Sequence, residues 1–185
     1  MTDEQVVEHI RSKDKETYAE LVNRYSDKLL RYIGFMIKDG DLVTEVVQRT
    51  FVKAYENLNS FDTSRKFSPW IYRIAHNEAI SEIRGRKKIL YWPLEADFWG
   101  VFESKGPSPE DDLDDKLMRE WLDSCLADLA EKYRSVLVLY YFENKSYEEI
   151  GEILRISIGT VGTRLRRGKA LVKKLCKRTD GKNVN

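Results

Sequence analysis

The sequence predicts an all-α fold of two small helical domains, and three observations carry that expectation. Apolar residues recur at helical spacing in both halves, strand-like alternation is sustained nowhere, and an acidic stretch rich in proline and glycine separates the halves. The 185 residues are 42% apolar and 34% charged, enough for a sizeable core and too polar for a membrane protein. Boundaries are expected at 1–90, 91–112 and 113–185.

In the first half, Tyr18, Leu21, Val22, Tyr25, Leu29, Ile33 and Met36 mark one helix, which ends at the turn Asp39-Gly40-Asp41. Asp41 is placed to cap the next helix, which gathers Val43, Val46, Val47, Phe51, Ala54 and Leu58 on one face. Glu45, Gln48, Arg49, Lys53 and Glu56 are left for solvent or a partner. Ser68-Pro69 opens a further helix, because proline lacks an N–H that the first turn leaves unpaired anyway. That helix turns Ile71, Ile74, Ala75, Ala79 and Ile83 inward and aligns Arg73, Asn77 and Arg84 on a second face. Trp70, in step with Ile74, reads as core, and His76 as a helix-surface residue.

Three of the four prolines, Pro93, Pro107 and Pro109, fall with Gly100 and Gly106 in the connecting stretch. From Glu103 to Asp115 six acids stand against Lys105, so the segment is expected to be solvated. Its aromatics, Tyr91, Trp92, Phe98, Trp99 and Phe102, exceed what a solvated linker needs and suggest docking onto a neighbouring surface. Ser108-Pro109 starts the next helix, with Leu113, Leu117, Trp121, Leu122, Cys125, Leu126 and Leu129 as its stripe. Cys125 therefore reads as core. The apolar run from Tyr133 to Phe142 suits a strand or a helix by itself, and its helical neighbours favour helix.

Ser146-Tyr-Glu-Glu149 is a capping box, the serine accepting from one backbone amide while Glu149 reaches back to another. The short helix it starts turns Ile150 and Ile153 or Leu154 inward, with Gly151 small enough for another helix to cross closely. It stops near Arg155-Ile156, and Ser157 caps a last helix. Ile158, Val161, Leu165, Val172 and Leu175 are expected to face the core, while Thr160, Thr163, Arg164, Arg166, Arg167 and Lys169 face outward. Two helices, a tight turn and a basic outer face describe a helix-turn-helix.

Charge sharpens this reading. The whole chain carries a formal +1, yet from Arg155 to Asn185 ten Lys or Arg residues face one acid, Asp180. A polyanion partner, DNA, follows, with phosphate contacts supplying affinity and base edges specificity. One good bidentate arginine contact discriminates between bases by roughly 1–3 kcal/mol. A second constellation interleaves Phe61, Phe67, Trp70 and Tyr72 with Arg65, Lys66, Arg73 and Arg84, a pattern suited to unstacked nucleotides.

Other classes fare worse. His9 and His76 are the only histidines, no HExxH or clustered ligand set occurs, and Gly162 to Lys169 has the wrong spacing and context for a phosphate loop. No catalytic residue, metal, cofactor or small-molecule substrate is expected. Cys125 and Cys176 form no disulfide framework, the N-terminus is acidic where a signal peptide is basic, and no apolar run is long enough to span a bilayer. A cytoplasmic protein without membrane insertion is expected. A dimeric helix-turn-helix regulator with an N-terminal sensor domain remains an alternative, separable by oligomeric state and by binding to a two-fold symmetric site.

Five segments together resemble a known family: Val43-Thr-Glu-Val-Val-Gln-Arg-Thr-Phe51, Asn59-Ser-Phe61, Phe67-Ser-Pro-Trp-Ile-Tyr-Arg-Ile-Ala-His-Asn77, Ser146-Tyr-Glu-Glu-Ile-Gly-Glu-Ile-Leu154, and Gly159-Thr-Val161 with Arg164-Leu165. Their order and spacing, and the acidic linker between them, resemble the extracytoplasmic-function sigma factors of bacterial transcription over nearly the whole chain. The resemblance implies an N-terminal domain that binds the clamp helices of core RNA polymerase and the minus-ten promoter element, and a C-terminal domain that binds the minus-thirty-five element. Glu45, Gln48, Arg49 and Lys53 would face polymerase. Phe61, Asp62, Thr63, Ser64, Arg65, Lys66, Arg73, Asn77 and Arg84 would serve the minus-ten element, the loop and Asn77 cradling an extruded base. Ser157, Thr160, Gly162, Thr163, Arg164, Arg166, Arg167 and Lys169 would serve the minus-thirty-five element, and an anti-sigma protein would be a further partner.

The sequence departs from the family pattern at Arg49, where an acid is usual, and at Ser81, where an aspartate is usual. Arg155 takes the place of a turn glycine, which implies a left-handed backbone at modest strain. Gly162 replaces a common basic residue at about 1 kcal/mol of helix propensity relative to alanine.

Overall fold

A computed structural model describes residues 1–12, 15–87 and 128–180, with side chains described through residue 85 in the first half and residue 175 in the second. Helix α1 (Asp3–Ser12) leads through a short 3-10 turn into α2 (Tyr18–Met36), α3 (Gly40–Glu56), a second 3-10 turn and α4 (Phe67–Lys87). The second half contains α5 (Glu131–Tyr141), α6 (Tyr147–Leu154) and α7 (Ile158–Asp180). Among the described residues there is no strand, so the all-α expectation holds. The linker aromatics, the acidic run and Cys125 lie outside the described residues.

Local chemistry sets most boundaries, with two adjustments to the sequence reading. Asp39, not Asp41, caps α3: its carboxylate accepts from the Leu42 amide at 3.2 Å, the reach of an N-cap to its N3 residue. Helix α4 starts at Phe67, before Ser68-Pro69, because the Phe67 amide is satisfied by the Glu4 carboxylate at 2.9 Å, a partner from α1. Proline still sits in the first turn, where its missing N–H costs nothing.

In the first half, Val6 and Val7 of α1, Leu21 and Leu29 of α2, Val46 and Ala54 of α3 and Ile71 and Ala75 of α4 share one buried core. Each large apolar side chain removed from water there contributes about 1.5–3 kcal/mol before ordering costs. Arg11 ties α1 to the segment before α4 by donating to the Leu58 carbonyl at 2.6 Å and to the Phe61 carbonyl. Helices α3 and α4 are laced outside the core by Arg49 to Glu82 at 2.8 Å and Lys53 to Glu78 at 2.5 Å.

The run 133–142 is helical, and α5 packs on α7, on α6 and across the chain on α2. The sequence reading placed the close helix crossing at Gly151; it lies at Gly168 instead. A Cβ on Gly168 would come within 2.9 Å of Leu137 Cδ1, whereas one on Gly151 would meet the Ile156 carbonyl of its own turn at 3.0 Å. Gly151 is therefore needed by the turn and Gly168 by the packing.

The halves dock on each other. Helix α6 packs against α4 and α5 against α2, with the Phe35 and Phe142 rings tilted against each other at 4.4 Å between centres. Glu143, whose side chain is 2% exposed, receives Arg31 at 2.8 and 3.1 Å and the Tyr72 hydroxyl. Lys145 donates to Ser68 Oγ at 2.7 Å and lies 4.4 Å from the centre of the Tyr72 ring. Burial holds the Lys145 ammonium below the usual lysine range, while the Glu143 pairing holds Arg31 above the usual arginine range.

Candidate nucleic-acid interface

A cavity of 210 Å³ opens between the end of α3 and the start of α4, lined by Phe61, Asp62, Arg65, Lys66, Trp70 and Arg73, with Ser60 and Pro69 at its edge. Its floor is aromatic: Trp70 lies 5.0 Å from the Phe61 ring and 5.4 Å from the Phe67 ring. Half-buried Trp70 thus belongs to both core and cavity. Asp62 shapes the loop, its carboxylate accepting from the Ser64 hydroxyl at 2.7 Å and, next in effect, the Ser64 amide at 3.0 Å, which hold its pKa below the usual aspartate value. Phe61, Phe67 and Tyr72 are themselves buried, at 4%, 0% and 0% exposed, so of the interleaved aromatics only half-buried Trp70 offers a ring face, and the cations beside it suit a stacked nucleobase with its phosphate alongside.

Not every expected residue joins this cavity. Thr63 points to Glu8, donating at 3.0 Å, and Ser64 is spent on Asp62. Asn77 and Arg84 are exposed further along α4, outside the lining. Glu152 of α6 does line it, a contribution with no local sequence signal because it arrives from the other half. Glu149 of the same helix accepts from Lys66 at 3.1 Å. Burial raises the Glu149 carboxyl, but the Ser146 amide and Lys66 outweigh it and leave it below the usual range. Burial lowers the Arg73 guanidinium, helped by Arg155 across the junction.

His76 is a correction to the sequence reading. It is 9% exposed, and its Nδ1 lies 2.9 Å from the Tyr32 hydroxyl. Burial, assisted by the charge of Arg84, pushes its pKa down to about 4. The periodicity did contain the signal: Tyr72, His76 and Ile80 form a second buried stripe one position round from Ile71, Ala75 and Ala79.

The helix-turn-helix is built by α6, a turn and α7. Both halves of the capping box form, Ser146 Oγ accepting from the Glu149 amide at 3.2 Å and Glu149 from the Ser146 amide at 3.0 Å. Arg155 ends α6 in the left-handed region, φ 53° and ψ 49°, as its place in the turn implied. Ser157 caps α7 by accepting from the Thr160 amide at 3.2 Å. Val161, Leu165 and Val172 are buried, but Ile158 is 51% exposed and does not face the core. It is the first residue of the helix, ahead of the first buried position, Val161. Ser157, Arg166 and Arg167 are exposed, and Thr160, Gly162, Thr163 and Arg164 are half-buried. Lys169, also half-buried, lies 5.5 Å from the centre of the Tyr141 ring and thus leans toward α5.

On α3, Glu45, Gln48 and Lys53 are exposed, while Arg49 is drawn back toward Glu45, Glu78 and Glu82. The same face exposes two apolar residues that a polar-face reading passes over, Val52 at 57% and Tyr55 at 40%.

These features define a two-domain helical nucleic-acid-binding protein: a cation-rimmed cavity built mainly by one domain and a basic helix-turn-helix in the other. Residues 21–89 match sigma-70 region 2, and residues 119–172 match sigma-70 region 4. The chain is 34% identical over 174 residues to the ECF RNA polymerase sigma factor SigW of Bacillus subtilis, covering 91% of this chain and 93% of that one. It is 31% identical over 183 residues to the ECF RNA polymerase sigma-E factor of Escherichia coli, covering 93% of each. Its fold is similar to that of CnrH solved in complex with the cytosolic domain of CnrY, with a TM-score of 0.71, 24% identity, and 95% and 97% of the two chains covered. The chain belongs to the extracytoplasmic-function sigma factors, which are transcription initiation factors of bacterial RNA polymerase.

Proposed function

We propose that the domains at 1–90 and 113–185 divide promoter recognition between them, joined by the linker at 91–112. The first binds the clamp helices of core polymerase through the outer face of α3, with Glu45, Gln48, Arg49 and Lys53 joined by Val52 and Tyr55. It also captures the minus-ten element at the cavity, where Phe61, Asp62, Arg65, Lys66 and Arg73 surround the base. Thr63, Ser64, Asn77 and Arg84 flank that strand. The second domain binds the minus-thirty-five element through Ser157, Thr160, Gly162, Thr163, Arg164, Arg166, Arg167 and Lys169.

The observation that carries this reading is the pairing, in one chain, of a cavity that sets Trp70 beside Arg65, Lys66 and Arg73 with a basic helix-turn-helix. A dimeric regulator has no use for the cavity. The chain acts by binding rather than catalysis and works in the cytoplasm; among the described residues no helix is long and apolar enough to cross a membrane. An anti-sigma protein that occludes the DNA-facing or polymerase-facing surfaces is a further partner.

The chain needs polymerase. Opening about ten base-pair steps costs on the order of 14 kcal/mol at roughly 1.4 kcal/mol per step. Each captured base returns only roughly 1–3 kcal/mol. The docked second domain also covers the cavity rim, so the isolated chain binds promoter DNA weakly. Run-off transcription from mixed genomic fragments, with core polymerase in the presence and absence of the chain, tests the reading. Discrete transcripts that require the chain are expected, and none from a folded, DNA-binding dimer would point to the regulator instead.

A further inference from the structure

The first turn of α7 is short of hydrogen-bonding groups that could read a base edge. The Ser157 and Thr160 hydroxyls pair with each other at 2.8 Å, and Thr163 returns its hydroxyl to the Gly159 carbonyl at 2.9 Å. Gly159 and Gly162 have no side chain. What this turn presents instead is Ile158, 51% exposed at the first helical position, with no acid in the turn beside it. Gly162, one turn on, leaves the isoleucine uncovered on that side, and the space over Gly162 is bordered by the Tyr147 ring, 3.6 Å from where a Cβ would lie. A β-branched apolar residue is a poor choice for a solvated helix start, where serine, threonine and acids are favoured.

The N-terminal residues of a recognition helix are those that reach base edges in the major groove. The one apolar group that DNA presents there is the C5 methyl of thymine. We propose that Ile158 packs against a thymine methyl of the upstream promoter element, so that the first turn reads a methyl while Arg164, Arg166 and Arg167 on later turns supply the charged contacts. This inference rests on the assignment of the second domain to the minus-thirty-five element.

Holoenzyme reconstituted from core polymerase and the full chain tests it, on a promoter recovered by run-off transcription. Each thymine of the upstream element is replaced singly by deoxyuridine, which removes the methyl and leaves every hydrogen-bonding group. At one position the wild-type holoenzyme is expected to lose about fourfold in affinity, the worth of one buried methyl-sized group. With Ile158→Ala that loss disappears, while Ile158→Val keeps part of it. Because Ile158 is exposed, both variants should melt with the wild type, and matching circular dichroism melts verify this. Deoxyuridine that is neutral at every position, or a loss undiminished in Ile158→Ala, overturns the inference while leaving the function intact. Transcription indifferent to scrambling the whole upstream element overturns the assignment of the second domain and the inference with it.

Discussion

Arg31 of α2 and Glu143, just beyond α5, form a two-pronged ion pair at 2.8 and 3.1 Å that joins the two halves of the chain. The two partners are unequal: the arginine side chain is 49% exposed and the glutamate 2%. Removing the arginine strands a carboxylate in the junction with Tyr72 as its neighbour, whereas removing the glutamate frees an arginine into water. A stranded buried acceptor costs about 1–3 kcal/mol. Arg31→Ala should therefore loosen the docking and raise the affinity of the free chain for a single-stranded minus-ten oligonucleotide by at least about fivefold. Fluorescence anisotropy with a labelled oligonucleotide checks this, and an unchanged affinity would show that docking does not limit access to the cavity.

Three carboxylates surround Arg49, Glu45, Glu78 and Glu82, and they explain how an arginine is accommodated on this face. Arg49→Ala should cost no more than about 1 kcal/mol, the usual worth of partly exposed pairs. Arg49→Glu should cost more, because it places a fourth acid in the cluster, and Glu82→Arg in the same chain should recover most of the loss. Urea unfolding of the four proteins gives the cycle, and additivity of the two charge reversals would dismiss the proposed coupling.

His76 makes stability depend on pH. Burial lowers its folded pKa to about 4 from the ordinary histidine value of 6.5, so between these values the unfolded chain binds the proton more readily. Stability is thus fully present above about pH 6.5 and falls on acidification toward pH 4, by about 3 kcal/mol over the whole window. Thermal melts at pH 7 and pH 4.5 should show a drop that His76→Gln reduces. An equal drop in the variant would assign the acid sensitivity to other groups.

The glycines of α7 should answer alanine in different ways. At Gly162 a Cβ meets only ordinary contact, so Gly162→Ala should gain about 1 kcal/mol of helix propensity. At Gly168 the new atom presses on fully buried Leu137, and overpacking of that kind costs about 1–3 kcal/mol. Denaturant melts should place Gly168→Ala at least about 1 kcal/mol below Gly162→Ala.

Much of the fold was legible because it is written in short-range chemistry. The capping box at Ser146 and the left-handed Arg155 each depend on residues within a few positions, and each stands as expected. The cavity was half legible: Phe61, Arg65, Lys66, Trp70 and Arg73 are near neighbours in sequence, whereas Glu152 reaches them through tertiary docking. Ile158 was misplaced by counting every apolar residue at helical spacing as core, although a helix can extend past the surface it packs on. Nothing in local spacing announces Arg31 with Glu143, whose meeting depends on how two separately patterned halves come together.

The cations that rim the cavity already have anions of the same polypeptide beside them, Glu149 at Lys66 and Glu152 near Arg73. On the proposed function, promoter capture at this cavity is an ion exchange, in which a phosphate displaces a tethered carboxylate. Added salt screens both the partner being lost and the partner being gained. The logarithm of affinity should then fall with the logarithm of salt less steeply than the number of phosphates touched would require, and the missing slope measures how much of the DNA's place was held by the protein itself.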